Sequence, residues 1–211
     1  MYMNEYQKKI SNTILNAPIE EHKKWKKVAS EIIGNIISIG FSKNEKYLLV
    51  LSWSGRGVFE CSSGEKIARD HSEPYTYEDG KEDDWNDDLS MTVKGIGPID
   101  NEDIHIVGMI GGGLHAQTED GWHIKLETIN WPDKEVILSG TGDPRYLENS
   151  NFTRLETIEM EPRAIGFSPS GDYLLIATPG YFDLRKLTEH INYDSEDCGN
   201  LNSISSYYEN V

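Results

Sequence analysis

One segment of the chain is written twice. Gly40-Phe41-Ser42 followed by Tyr47-Leu48-Leu49-Val50 returns as Gly166-Phe167-Ser168 followed by Tyr173-Leu174-Leu175-Ile176. The offset is constant, 126 positions both from Gly40 to Gly166 and from Tyr47 to Tyr173. Self-similarity at a fixed spacing marks a repeated structural unit that cannot bury its apolar faces alone. Each copy joins two short runs of aliphatic, aromatic and β-branched residues through a tight polar turn, the pattern of antiparallel strands. A sheet with apolar residues on both faces has to stack on other sheets, and stacking also shields its edges.

The same cadence runs on around the repeat. From Ile36, "IISIGFS", "KYLLVLSW", "GVFEC" and "KIARD" alternate with the turns Lys43-Asn44-Glu45, Ser54-Gly55-Arg56-Gly57 and Ser62-Ser63-Gly64-Glu65. That predicts an antiparallel meander. A second strand-rich region over 104–140 holds "IHIVGMIG", "WHIKLETI" and "EVILSG", and a third covers 162–187. These passages resemble the blade grammar of WD-repeat β-propellers: a strand ending in Phe-Ser, a Pro-x-Gly turn (Ser168-Pro169-Ser170-Gly171) and an apolar strand. A third strand then runs into a Ser-Gly turn, as in Val58-Phe59-Glu60-Cys61-Ser62-Ser63-Gly64-Glu65. The likeness covers roughly 60 residues, and the offset of 126 is three times a spacing of about 42, close to one blade. No Gly-His and Trp-Asp pair accompanies it. The resemblance implies a mainly β fold of antiparallel meanders, forming a small propeller-like assembly of about three to four blade-like sheets.

Helices are expected ahead of the sheets. Tyr6, Ile10 and Ile14 recur on one helical face. Pro18 suits the first turn of a second helix, in which Trp25, Val28, Ala29 and Ile32 share a face and Gly34 caps the end. Glu20 and Glu21 early and Lys26 and Lys27 later agree with its dipole. The chain then divides into a helical segment 1–34 packed on the sheets, a β-rich domain 35–193 with an acidic insert at 70–90, and a polar tail 194–211 carrying Tyr207 and Tyr208.

Charge narrows the class of partner. The 211 residues carry 36 acids against 20 bases, a formal −16. Such a field opposes binding to nucleic acid, whose phosphates need Lys and Arg, and favours cationic partners. Residues 70–88 hold nine acids and one lysine, net −8, which is half of the total, whereas residues 1–30 are net +3. The two cysteines, Cys61 and Cys198, stand in unrelated contexts, and "MYMNEYQKKI" lacks the basic and apolar regions of a secretory signal. No apolar run approaches the roughly 20 residues of a membrane span. A cytoplasmic location is expected.

The acidic insert gathers Glu78, Asp79, Glu82, Asp83, Asp84, Asp87 and Asp88 around Lys81 and Trp85. A calcium loop fails on spacing: counted from Asp83, the sixth position is Asp88 where glycine is needed, and the twelfth is Lys94 where glutamate is needed. Adjacent carboxylates can still attract a hard cation, and a solvated loop of no specific role is open too. Trp85 favours a third reading, a partner-binding surface, because an indole among acids adds little to folding while Trp is enriched at binding hot spots. His115 and His123 flank the turn Gln117-Thr118-Glu119-Asp120-Gly121 and could meet across a hairpin, but no third ligand accompanies them at metal-site spacing. Gly111-Gly112-Gly113 lacks dinucleotide-site spacing and suggests a bulge or a close approach of backbones. Ser54 lies outside any Gly-x-Ser-x-Gly elbow. No catalytic residue, metal or cofactor is expected.

Acidic, singly folded and without a catalytic signature, the chain resembles in character the bacterial immunity proteins that neutralise toxins. That resemblance implies a basic toxin domain as partner, such as a nuclease, met by Glu78, Asp79, Glu82, Asp83, Asp84, Trp85, Asp87 and Asp88. Two other readings stay open: a propeller-like scaffold that binds a peptide or subunit of the host cell, and a metal-dependent enzyme with carboxylate ligands.

Overall fold

Both copies of the repeat fold as expected, each as a pair of antiparallel strands inside a larger sheet. The computed structural model describes residues 4–72, 86–87, 91–109, 112–140 and 152–189. A helix, α1 (Glu5–Asn16), is followed by β1 (Trp25–Ile32), β2 (Ile36–Phe41), β3 (Tyr47–Ser52), β4 (Gly55–Glu60) and β5 (Lys66–Asp70). Next come β6 (Asn86–Asp87), β7 (Thr92–Lys94), β8 (Asp103–His105) and β9 (Val107–Gly108). The remainder is β10 (His123–Glu127), β11 (Lys134–Ser139), β12 (Phe152–Ile158), β13 (Ala164–Phe167), β14 (Tyr173–Ala177) and β15 (Tyr181–Leu187). The tail 194–211 lies outside the described residues. Among the described residues no helix is long and apolar enough to cross a membrane.

Among the described residues the strands form four sheets: sheet I in the order β5-β4-β3-β2-β9, sheet II β6-β7-β8, sheet III β10-β11-β12 and sheet IV β1-β15-β14-β13. Neighbouring strands pair antiparallel throughout. Successive side chains of a strand point to opposite faces, so an unbroken apolar run has to be buried on both. That is how β3 is used. Leu48 and Val50 pack toward sheet IV, on Tyr173, Leu175, Phe182 and Leu184. Leu49 and Leu51 pack the other way, with Val93, Ile99, Ile104 and Ile106. In sheet IV, Leu174 and Ile176 turn to Trp122, Ile124, Val136 and Leu138 of sheet III and its approach. Three apolar clusters therefore join the sheets in the order III, IV, I, II, and none of them joins III to II.

The expected second helix does not form. Its apolar residues lie on β1, the edge strand of sheet IV, paired with β15. A bulge between Lys27 and Ala29 shifts the register there. Trp25 enters the cluster facing sheet III and Ala29 the cluster facing sheet I. The three- and four-residue spacing that imitates a helix comes from a strand with a bulge whose two faces are both covered. The first strand of the chain thus completes the sheet made by its last three.

The repeated glycine is explained by a crossing segment. Val107 of β9 pairs with Ile39 of β2, and His115 bridges to Phe167 of β13. A Cβ on Gly40 would lie 2.3 Å from the His105 carbonyl oxygen, and one on Gly166 2.5 Å from Leu114 Cβ. Only glycine leaves room for this close approach.

α1 opens with a capping box between Asn4 and Gln7. Its far end is held by Arg154 of β12, which donates to the carbonyls of Leu15 and Ala17, each at 3.2 Å. The same guanidinium donates to buried Glu135 Oε2 at 2.7 Å, which also accepts from Thr157 at 2.9 Å. The stack has two ends. At the upper one β1 stops, β2 starts and the turns 33–35, 53–54, 128–133, 159–163 and 178–180 gather.

Candidate functional site

The described residues on either side of the acidic insert are tied to one arginine. Arg56, nearly buried on β4, donates through Nε to Asp70 Oδ2 at 2.9 Å, just before the insert. Through Nη1 it donates to the Lys94 carbonyl at 2.5 Å, just after it. Asp70 also accepts from the backbone N–H and the hydroxyl of Ser72, at 2.9 and 2.7 Å. Burial by itself raises the Asp70 carboxyl, but the two Ser72 donors and the Arg56 guanidinium outweigh it and bring it down to about 2. Glu78, Asp79, Glu82, Asp83, Asp84, Trp85 and Asp88 lie outside the described residues. For Asp87 the backbone alone is described, paired with Thr92 at the edge of sheet II.

A second feature of this end was not anticipated from sequence. Ile32, Trp53, Met109, Trp131 and Met160 are large apolar residues exposed there, Ile32 at 92% and Trp131 at 86%. A chain of contacts links their positions. The Trp53 N–H donates to the Asn35 carbonyl, the Ile33 N–H to the Gly180 carbonyl and the Met109 N–H to the Ile37 carbonyl. A Cβ on Gly180 would touch Met160 Cε at 3.6 Å, and Lys134, which follows the Trp131 turn, pairs with Glu161. The sequence signal was present in "NWPD", an aromatic residue within a polar turn.

An ionic network centred on buried Asp183 and Arg185 lies between sheets III and IV. Tyr181, Asp183 and Arg185 alternate along one face of β15, while Phe182 and Leu184 fill the other. Lys27 Nζ lies 2.6 Å from Asp183 Oδ2, and Arg185 Nη1 lies 2.5 Å from Glu21 Oε2. The Tyr181 hydroxyl donates to Glu156 Oε2 of β12 at 3.0 Å. Burial, then the charge of Asp183, raises the Glu156 carboxyl, against the Tyr181 hydrogen bond and the cations Arg185 and Lys27. The tyrosine is pushed up in turn by its own burial and by the Glu156 charge. Two cations matched by Glu21 and Asp183 leave a balanced set when Glu156 holds its proton. Its chemistry is that of a polar seam locking two sheets, and this period-two polar face was legible as Tyr-x-Asp-x-Arg.

The remaining sequence motifs resolve into structure. The turn at Thr118–Gly121 forms, with the Thr118 hydroxyl donating to Asp120 at 2.5 Å. His123 bridges to Gln117 and His115 to Phe167, so the two histidines are not cross-strand partners. His22 packs edge-on against Trp122 with ring centroids 5.0 Å apart, and its pKa is lowered by burial and then by Lys24. Of the triple glycine, Gly111 lies outside the described residues; Gly112 adopts a φ of 72° beside the Ile106 carbonyl. Cys61 is a free thiol buried against sheet IV, and burial pushes it up to about 12. Among the described residues no group of three His, Cys, Asp or Glu side chains could hold a metal ion. No protein-family model matches the chain, and no curated protein matches it.

Proposed function

We propose that this chain is a non-catalytic binding module that occupies a basic protein, in the manner of an immunity protein neutralising a toxin in the cytoplasm. The observation that carries the reading is the acidic insert: half of the net charge on one segment, its feet at Asp70 and Lys94 held by the single side chain of Arg56. A fixed base lets a concentrated negative field steer encounter with a cationic cleft. The scaffold under it is proposed to be propeller-like. Leu48, Val50 and Phe41 correspond by the repeat to Leu174, Ile176 and Phe167; the first set faces sheet IV and the second faces sheet III. Equivalent faces thus point the same way along the stack, as rotation about a common axis requires, whereas a two-fold axis between the copies would set them against each other.

The test uses the protein encoded beside this chain, purified and titrated against it. Reversal of Asp83, Asp84, Asp87 and Asp88 to lysine should weaken binding more than about tenfold, mostly through the association rate, with folding intact. Unchanged affinity in that variant removes the insert from the interface, and absence of binding by the wild-type chain overturns the reading.

A further inference from the structure

We propose that the upper end of the sheet stack is the apolar half of the same interface, a patch of Trp131, Ile32, Trp53, Met160 and Met109 that a basic protein partner covers. This rests on the proposed role of the insert and adds the surface on which the partner settles.

Five of the eight large apolar side chains exposed among the described residues sit at this one end. Single exposed apolar residues need no explanation, but several gathered on one surface mark an interaction site. Ile32 and Trp131 are almost wholly exposed, and Trp53, Met109 and Met160 are each about half exposed. Trp131 stands on the turn between β10 and β11, and Ile32 at the last position of an edge strand. Aromatic residues and methionine are the types enriched where partners dock, and a Trp near the centre of an interface is a recurrent anchor.

Charge at this end selects the occupant. The basic side chains described here are engaged within the chain: Arg56 with Asp70, Arg69 with the Ser54 carbonyl, Arg163 with the Ile36 carbonyl and Lys134 with Glu161. Glu159 and Glu161 are exposed beside Met160, and Asp70, the first acid of the insert, is held by Arg56 at the start of β4. An apolar patch within an acidic field fits a partner that is apolar at its centre and basic around it. A second copy of this chain carries the same negative excess, and like charges so juxtaposed repel. An anionic membrane is opposed in the same way.

The two halves of the interface separate by rate. Acidic residues act on encounter, whereas desolvated apolar anchors act on escape. The full-length chain carrying Trp131→Ser, Ile32→Ser or both is titrated against the adjacently encoded protein, with the four-residue charge reversal alongside. The expected result is dissociation faster by about tenfold for each apolar variant with little change in association rate, set against slower association for the charge reversal. Both apolar residues are exposed, so the melting temperature should not move. Wild-type dissociation in the double apolar variant overturns this proposal while leaving the insert's role standing. Loss of binding in the wild-type chain itself overturns both. Self-association by sedimentation at raised salt, abolished by Trp131→Ser, would make the patch a face between copies and overturn the proposal; so would binding to zwitterionic vesicles lost in the same variant.

Discussion

Glu156 projects from β12 toward a hydroxyl and a carboxylate of β15 and is held there with its proton favoured. A carboxyl raised above its ordinary 4.5 by burial and by Asp183 contributes stability below that value and loses it as pH rises through the higher folded value. Gln at this position keeps an acceptor for Tyr181 and cannot ionise. Glu156→Gln should therefore melt at a higher temperature than wild type near pH 8, with the difference closing below about pH 4.5. An equal difference across that range in calorimetric scans would refute the assignment. Asp70 has the opposite sign. Its carboxyl, held at about 2 against an ordinary 3.8, stabilises the fold at neutral pH and ceases to do so as acid takes it through that interval. Asp70→Asn should be destabilised at pH 6 and converge on wild type toward pH 2, followed by the melting temperature. Neither behaviour was legible in the sequence. The Arg185–Glu21 pair spans 164 positions, and no local pattern announces that β12 and β15 will face each other.

At the scale of elements, the far end of α1 is held by one guanidinium, alongside the burial of Ile14. Arg154 satisfies the last carbonyls of the helix and at the same time neutralises Glu135, which is buried on β11. Arg154→Ala leaves that carboxylate buried without its cation, a change that costs about 3 kcal/mol when such a pair is broken from one side. Amide exchange over residues 5–17 should accelerate beyond what the global loss accounts for, and uniform acceleration would show that the helix is held by other contacts. Sequence reading succeeded and failed here for definite physical reasons. β2, β3 and β14 were visible because strands buried on both faces are written as unbroken apolar runs, and their neighbours β4, β5, β13 and β15 because short polar turns set them off. β12 escaped notice because Thr153, Arg154, Glu156 and Thr157 put polar groups at its sheet-edge positions. β1 was misread because a bulge shifted its period. At the upper end, Trp131 is marked in sequence by its polar turn, whereas Ile32 reads as one more apolar residue of its strand, and only the turns gathered there bring the two onto one surface.

For the whole molecule the decisive contact joins the chain's beginning to its end. β1 pairs along the length of β15, and Trp25, fully buried, packs on Phe167 and Trp122 with ring centroids 5.2 and 5.9 Å away. Sheet IV touches sheet III on one side and sheet I on the other through continuous apolar clusters. Loosening β1 therefore exposes both clusters together, and sheet I cannot keep its own core once that face is lost. Unfolding should be a single transition despite the four sheets. Trp25→Ala, a large-to-small change in a filled core, should cost about 3 to 5 kcal/mol. Cys61 offers a probe on the far side of sheet IV, since its thiol is buried in the cluster with sheet I and is held unreactive until the sheet opens. In a Cys198→Ser background, labelling of Cys61 and tryptophan fluorescence should give the same denaturant midpoint, and Trp25→Ala should move both by the same amount. Separate midpoints, with Cys61 protected after the fluorescence change is complete, would mean that sheets I and II fold without the strand that closes sheet IV.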